Sequence, residues 1–255
     1  MYAVDINCDL GELPGEQGRL LDSKLIPLVT SVNVACGEHA GDAQTMRATI
    51  STAKENNVAI GAHPSYPDRD NFGRKPLRMS AGEIILTVRD QVEVLATIAE
   101  EQGVALQHVK PHGALYSVAA QDYEVAQAIG QAIADFDPSL IYCGMANSEL
   151  ERAARDLDLR FISEVFADRA YTADANLVPR DRAGAVITDT DEVISRVLHM
   201  IQDGRVTTIE GADIAIEAQT ICLHGDNANA LALAAHLREA LVERGISLVP
   251  MNQIV

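Results

Sequence analysis

Short apolar runs alternate with longer segments of helical period along the whole chain, the pattern that parallel strands joined by crossover helices require. Seven such units are present, with strands predicted at 4–8, 31–36, 58–62, 106–110, 140–143, 160–165 and 219–223. The clearest helix starts at Ser80, where Ser80-Ala-Gly-Glu83 forms a capping box that satisfies orphan N–H groups, and it runs to Gln102 before Gly103. Asp42, Asn147 and Thr190 are candidate caps for other helices, and Asn227 for the last long helix, which ends before Gly245.

No internal repeat and no Gly/Ser linker interrupts the series, so residues 1–255 are expected to form a single domain. Its fold class is α/β, a (β/α)7-type barrel of distorted TIM-like form. An open doubly wound sheet is the alternative, but there the first strand leads into a phosphate-binding glycine turn. Here it leads into Cys8-Asp-Leu-Gly-Glu-Leu-Pro-Gly15, and no dinucleotide fingerprint occurs.

Composition narrows the partners. The 20 Lys and Arg residues against 37 Asp and Glu leave a net charge of −17, with no basic tract to neutralise phosphates. Nucleic acid and anionic membrane are therefore not expected as partners. A small anionic substrate is still compatible, because a few cations inside a pocket act locally. The start lacks a basic segment followed by an apolar run, and no stretch approaches the ~18 apolar residues of a membrane span, so a cytoplasmic location is expected. Cys8, Cys36, Cys143 and Cys222 form no C-x-x-C pair and are expected to be reduced and mostly buried.

In such barrels the loops after the strand ends carry the active site. Those ends are polar here: Asp9 and Glu12 after the first strand; Glu38, His39 and Asp42 after the second; His63, with Asp68 and Arg69 beyond, after the third. Lys110 and His112 follow the fourth, Glu164, Asp168 and Arg169 the sixth, and His224, Asp226 and Asn227 the seventh. Four of the 7 histidines thus lie just past strands, whereas His199 and His236 fall on helices and His108 within a strand. Strand parity turns Asp5, Asn7, Asp9, Asn33, His63, Lys110, His112, Glu164, His224 and Asp226 toward the lumen, where a purely structural barrel carries Val, Ile and Leu. Ionisable groups are costly to bury unless they pair, bind a metal or meet a ligand, so the pattern favours a polar functional pocket over an internal hydrogen-bond network.

Neutral imidazole and carboxylate suit zinc or manganese, and Asp9, His39 and His63 are the first metal candidates; His39 and Asp42 stand as H-x-x-D rather than H-E-x-x-H or H-x-x-x-H. The same groups also suit metal-free proton transfer by an Asp–His pair, with Lys110 or Arg169 stabilising an oxyanion. No G-x-S-x-G marks a serine nucleophile, and Ser65 reads as part of a turn. Residues 63–75 form a long loop of prolines, aromatics and cations, read as a lid or recognition loop in which Arg69, Arg74 and Lys75 could meet a substrate carboxylate. No P-loop sequence occurs, so any nucleotide site is of another kind or on another chain.

The segments Asp5-Ile-Asn-Cys-Asp-Leu-Gly-Glu12, Ser31-Val-Asn-Val-Ala-Cys-Gly-Glu-His-Ala-Gly-Asp42 and Gly61-Ala-His-Pro-Ser-Tyr-Pro-Asp68 resemble the LamB/YcsF (lactam-utilisation) family. Val109-Lys-Pro-His-Gly-Ala-Leu-Tyr116, Glu164-Val-Phe-Ala-Asp-Arg-Ala-Tyr171, Leu177-Val-Pro-Arg180 and Cys222-Leu-His-Gly-Asp226 extend the resemblance over nearly the whole chain. It implies a seven-stranded barrel similar to the glycoside hydrolase/deacetylase superfamily, whose deacetylases hold a metal with an Asp and an H-x-x-x-H pair. It further implies the A subunit of an ATP-dependent 5-oxoprolinase, which opens 5-oxo-L-proline to L-glutamate with hydrolysis of ATP, in a complex with subunits B and C. The residues expected to act are Asp9, His63, His112, Glu164 and His224 in catalysis, and Asn7, Lys110, Arg169 and Asp226 in substrate binding. Asp9, His39 and His63 are expected at a metal, if one is bound. Two other readings stay open: a stand-alone metal-dependent amide hydrolase or deacetylase, and a noncatalytic substrate-binding or regulatory subunit.

Overall fold

The computed structural model describes residues 2–224 and 230–255. The chain runs β1 (Ala3–Leu10), α1 (Gly15–Leu25), β2 (Ser31–Ala35), α2 (Ala43–Glu55), β3 (Ala59–His63), α3 (Ala81–Glu101), β4 (His108–Val109), α4 (Gly113–Ala119), α5 (Tyr123–Phe136), β5 (Ile141–Met145), α6 (Glu149–Asp156), β6 (Phe161–Phe166) and α7 (Thr190–Asp203). A hairpin, β7 (Arg205–Thr207) and β8 (Asp213–Ala215), precedes β9 (Thr220–His224), α8 (Ala230–Glu243) and β10 (Ser247–Leu248).

All barrel pairings are parallel, in the order β1-β2-β3-β4-β5-β6-β9, and β9 returns to β1 to close the ring. The seven expected strands are these seven. The β7–β8 hairpin and the two-residue β10, which pairs with β1 outside the ring, carry too few residues to show a period. Asp9 lies in register with Asn33 on one side and His224 on the other, so the polar strand ends share one level.

Helix α3 shows how the outer layer forms. Ile84, Val88, Val92, Leu95 and Ala99 recur at helical spacing and are buried, each large side chain worth roughly 1.5–3 kcal/mol on burial. Ser80 accepts from Glu83 N–H, and Glu83 reaches back to Ser80 N–H at 2.7 Å, completing the capping box. Asp42 caps α2 as expected. Asn147 and Thr190 do not cap. Asn147 takes a positive φ, and extended Ser148 caps α6 instead; Thr190 is already helical, and Asp189 accepts from Glu192 N–H at 2.9 Å. Asn227 lies outside the described residues. All four cysteines are free and buried, and no described helix is long and apolar enough to cross a membrane.

Candidate active site

Inside the ring, strand parity places a polar stack whose members pair extensively with one another, leaving only Glu164 Oε2 and His108 Nδ1 without a partner among the described residues. Asp5 accepts from Thr30, Ser31 and Thr220 at 2.5–2.6 Å. Asn7 donates to Glu164 at 3.1 Å and Thr220 at 2.7 Å, and accepts from Asn33 at 2.7 Å and Lys110 at 3.2 Å. His108 crosses the lumen to Asn33 Oδ1 at 2.7 Å, and burial, reinforced by the Lys110 charge, pushes its pKa down to about 3, so the ring is neutral. Gly61 makes that crossing possible, since a Cβ there would stand 2.1 Å from the His108 ring.

Lys110 is the centre of this stack. Its ammonium contacts Glu164 at 2.7 Å, Asp9 at 2.9 Å and Cys222 Sγ at 3.1 Å. Burial disfavours the charge, but Asp9 and Glu164 outweigh it and raise the pKa well above the ordinary lysine value. An ammonium has three N–H donors, and here all are spent on the stack. Lys110 reaches the cavity lining with its ammonium engaged by the stack, whereas Asn7 and Glu164, both fully buried, lie behind that wall.

Above the stack the loops bring a second cluster together. Among the described residues, Glu12, His39, His63 and His112 present ligand atoms that all lie within 4.8 Å of one another. Glu12 Oε1 stands 3.1 Å from His39 Nε2, 3.1 Å from His112 Nδ1 and 3.8 Å from His63 Nε2. The rings of His39 and His112 stack at 3.8 Å, 5° from parallel. Glu12, rather than Asp9, joins His39 and His63 in this cluster: Asp9 Oδ1 accepts from Asn33 and Lys110, and its Oδ2 stands beside His63 at 3.4 Å. The chain itself holds the signal for Glu12, three residues after Asp9 across Gly11, whose φ of +76° turns the loop back over the barrel.

Tautomers give this cluster its chemistry. His63 Nδ1–H donates to the Lys110 carbonyl at 2.7 Å, and His112 Nε2–H donates to the Phe72 carbonyl at 2.9 Å. The remaining nitrogens, His63 Nε2 and His112 Nδ1, face each other 3.0 Å apart, and Glu12 Oε1 stands 3.1 Å from the latter. Two ring nitrogens at that distance require a proton on one of them or a cation between them. Backbone carbonyls that lock the outer nitrogens are also the usual support of metal-bound histidines. Burial pushes His39 down to about 4, keeping it neutral, and its buried Nδ1 has no partner among the described residues. Burial alone would raise the Glu12 carboxyl, but hydrogen bonds from His112 and His39 hold it well below the usual carboxylate range. For His63, Asp9 outweighs burial and raises the pKa. Imidazole nitrogens converging on a carboxylate are a donor set that fits zinc or another divalent transition metal.

The 63–75 loop forms a clasp over these rings. Arg69 donates to the Gly37 and Gly41 carbonyls at 2.6 and 2.9 Å, fastening the loop that carries His39, so it is an anchor rather than a substrate contact. The Phe72 ring meets His39 and His112 edge-on, and the Gly73 carbonyl accepts from Ala114 N–H. A cavity of about 670 Å³ opens beside the cluster, lined by Asp9, Glu12, His63, Lys110, His112 and, from the far side, Arg169 and Arg180. Arg169 is nearly buried. Its Nη2 and Nε bind the Val178 and Ala185 carbonyls at 2.6 and 3.3 Å, tying the 167–187 segment into a wall. The backbone of His224 ends β9, but its side chain and all of Asp226 lie outside the described residues.

The LamB/YcsF family model matches residues 4–255. The A subunit of 5-oxoprolinase from Geobacillus kaustophilus (strain HTA426) is 48% identical over 248 residues, covering 97% of this chain and 96% of that protein. Its counterpart of the same name from Pyrococcus abyssi (strain GE5 / Orsay) is 44% identical over 252 residues, covering 99% of each. Among solved structures, the lactam utilization protein from Thermus thermophilus superposes with a TM-score of 0.90 at 38% identity, covering 97% of this chain and 99% of that one. The peptidoglycan deacetylase PdaC from Bacillus subtilis reaches a TM-score of 0.50 at 16% identity, covering 99% of this chain and 89% of that one, a likeness of fold alone. With nearly every residue matched and the barrel shared, the chain belongs to the LamB/YcsF family.

Proposed function

We propose that this chain is the A-type subunit of an ATP-dependent 5-oxoprolinase and hydrolyses the lactam of 5-oxo-L-proline to L-glutamate. The observation that carries the reading is the convergence of Glu12 and three histidines on the wall of a cavity sized for a small molecule, in a chain whose curated relatives are named for that activity. We take residues 1–255 as one cytoplasmic domain.

A five-membered lactam is a resonance-stabilised amide with a poor nitrogen leaving group, which is the physical reason to couple its opening to ATP. The sequence has no P-loop, so we assign the nucleotide to partner subunits of the B and C type. Glu12, His39, His63 and His112 are the residues that would hold a divalent metal, which when bound would polarise a carbonyl oxygen and acidify water. Asp9, 2.9 Å from Lys110 and 3.4 Å from His63, is our candidate to take a proton from water entering the cavity. Lys110 holds Asp9 and is held in turn by Glu164, so both act on the reaction by positioning. Asn7 supports the same stack. Arg169 lends its charge to the opposite wall from behind, and we keep His224 and Asp226, which end and follow the seventh expected strand in the sequence, as candidate residues.

The test is glutamate release from 5-oxoproline and ATP, measured with this chain alone, the B and C partners alone, and all three together. Turnover only in the full mixture is expected; turnover by the partners alone would reduce this chain to an accessory. A second reading, a stand-alone metal-dependent amide hydrolase, is favoured by one observation: the Glu12 cluster is complete within this chain. Amide hydrolysis by the metal-loaded chain without partners or ATP would establish it.

A further inference from the structure

We infer that Arg180 is the specificity-determining residue that binds the carboxylate of the lactam substrate, opposite the Glu12–histidine cluster. The inference deepens the 5-oxoprolinase reading and rests on it. In the barrel order, β6 stands three strands from β3 one way and three from β2 the other, so the 167–187 segment after β6 faces the loops of His39 and His63 across the cavity mouth. That segment contributes Arg169 and Arg180 to the lining, with Leu177, Val178 and Pro179 between them. Arg169 is committed to carbonyls of its own segment, whereas Arg180 is exposed on the turn closed by Arg182 N–H and the Pro179 carbonyl. Arg182 approaches Glu210 at 4.0 Å, but Arg180 has no ion pair among the described residues. Burial first and the Arg180 charge second lower the pKa of Arg169, so the two guanidinium groups that share this wall are electrostatic neighbours in a chain of net charge −17.

Substrate chemistry matches this layout. In a lactam with a carboxylate on the carbon next to nitrogen, the nitrogen lies between the scissile carbonyl and the acid, which therefore project from opposite flanks of the ring. With the carbonyl at the Glu12–histidine cluster, the carboxylate meets the arginine wall. The planar guanidinium fork suits a carboxylate, and Arg169 supports the charge from behind.

The experiment compares wild type, Arg180→Met and Arg180→Lys in the assembled complex, with complex formation checked by size-exclusion chromatography. Arg180→Met is expected to raise KM for 5-oxo-L-proline about 10- to 100-fold, the loss of a charge-assisted hydrogen bond, with kcat within about threefold. Arg180→Lys restores part of the loss, because the charge returns without the fork. An unchanged KM, an equal fall in kcat, or a complex that no longer assembles overturns the inference. So does competitive inhibition by inorganic phosphate that disappears in Arg180→Met while KM stays constant, which would assign the arginine to a phosphoryl group. Absence of turnover by the wild-type complex would instead bring down the parent reading, and this one with it.

Discussion

The strand-borne stack and the loop-borne cluster use the same residue types a few ångströms apart, yet their polar groups are paired to different degrees. In the stack, Asp5, Asn7, Asn33 and Lys110 find partners within the protein. In the cluster, the ligand atoms of Glu12, His39, His63 and His112 crowd within 4.8 Å of one another, and His39 Nδ1 has no partner among the described residues. Buried polar groups that satisfy one another rigidify a fold, while groups left with converging, unmet valences wait for a ligand. Near-complete saturation in the stack, where only Glu164 Oε2 and His108 Nδ1 lack a partner among the described residues, against ligand atoms that converge on one point in the cluster, separates scaffold from site.

Breaking the stack is expected to have the largest effect. Lys110→Met leaves Asp9 and Glu164 buried without a cation and should destabilise the protein by about 3–5 kcal/mol in urea unfolding. A loss under about 1 kcal/mol would show that the stack is wet and that saturation does not set it apart from the cluster. Glu12→Gln should do the reverse: unfolding free energy within about 1 kcal/mol of wild type, because the amide oxygen still accepts from His39, but zinc affinity by calorimetry and complex turnover each down at least ~100-fold. Loss of stability together with retained zinc binding would make Glu12 part of the scaffold.

Gly73→Ala tests the clasp between the two regions. A Cβ at Gly73 would stand 2.9 Å from His39 Cβ and 3.0 Å from His112 Cδ2, in a backbone with φ of +61°. The strain should cost roughly 1–2 kcal/mol, and the displaced ring stack should cut zinc affinity about tenfold. If affinity is unchanged, the clasp serves the loop alone.

How legible this division is in the sequence follows from the same physics. Parity along a strand is a local rule, so the inward set of Asp5, Asn7, Asp9, Asn33, Lys110 and Glu164 can be read from β-periodicity, as can the ring of seven strands from its alternation of elements. What each inward group then binds is not local. Lys110 looks like an anion contact until two carboxylates from β1 and β6 are seen to claim it. Glu12 is passed over because it lies off the strand, where parity has no meaning, and Arg69 becomes an anchor only once the 37–41 loop is in place. Phe72 carries no polar side chain at all; its carbonyl and ring edge act through a left-handed backbone at φ of 56°.

A third histidine–carboxylate group sets the lower end of the scale. On the surface, His199 bridges Asp203 at 2.8 Å and Asp213 at 3.3 Å. The hydrogen bond to Asp203 is the main cause of its raised pKa, and Asp213 adds to it. A histidine whose folded pKa lies above its unfolded value stabilises most below about pH 6.5, and that contribution fades as pH rises through the folded value. The ring is partly exposed and screened, so His199→Gln should lower stability by only about 0.5 kcal/mol or less at pH 5.5. At pH 8.5 the two proteins should unfold alike. Because solvent can satisfy every valence left open here, the substitution should leave zinc affinity and turnover untouched; a change in either would mean that saturation by water does not disarm a histidine–carboxylate cluster, and the contrast between stack and site would need another basis.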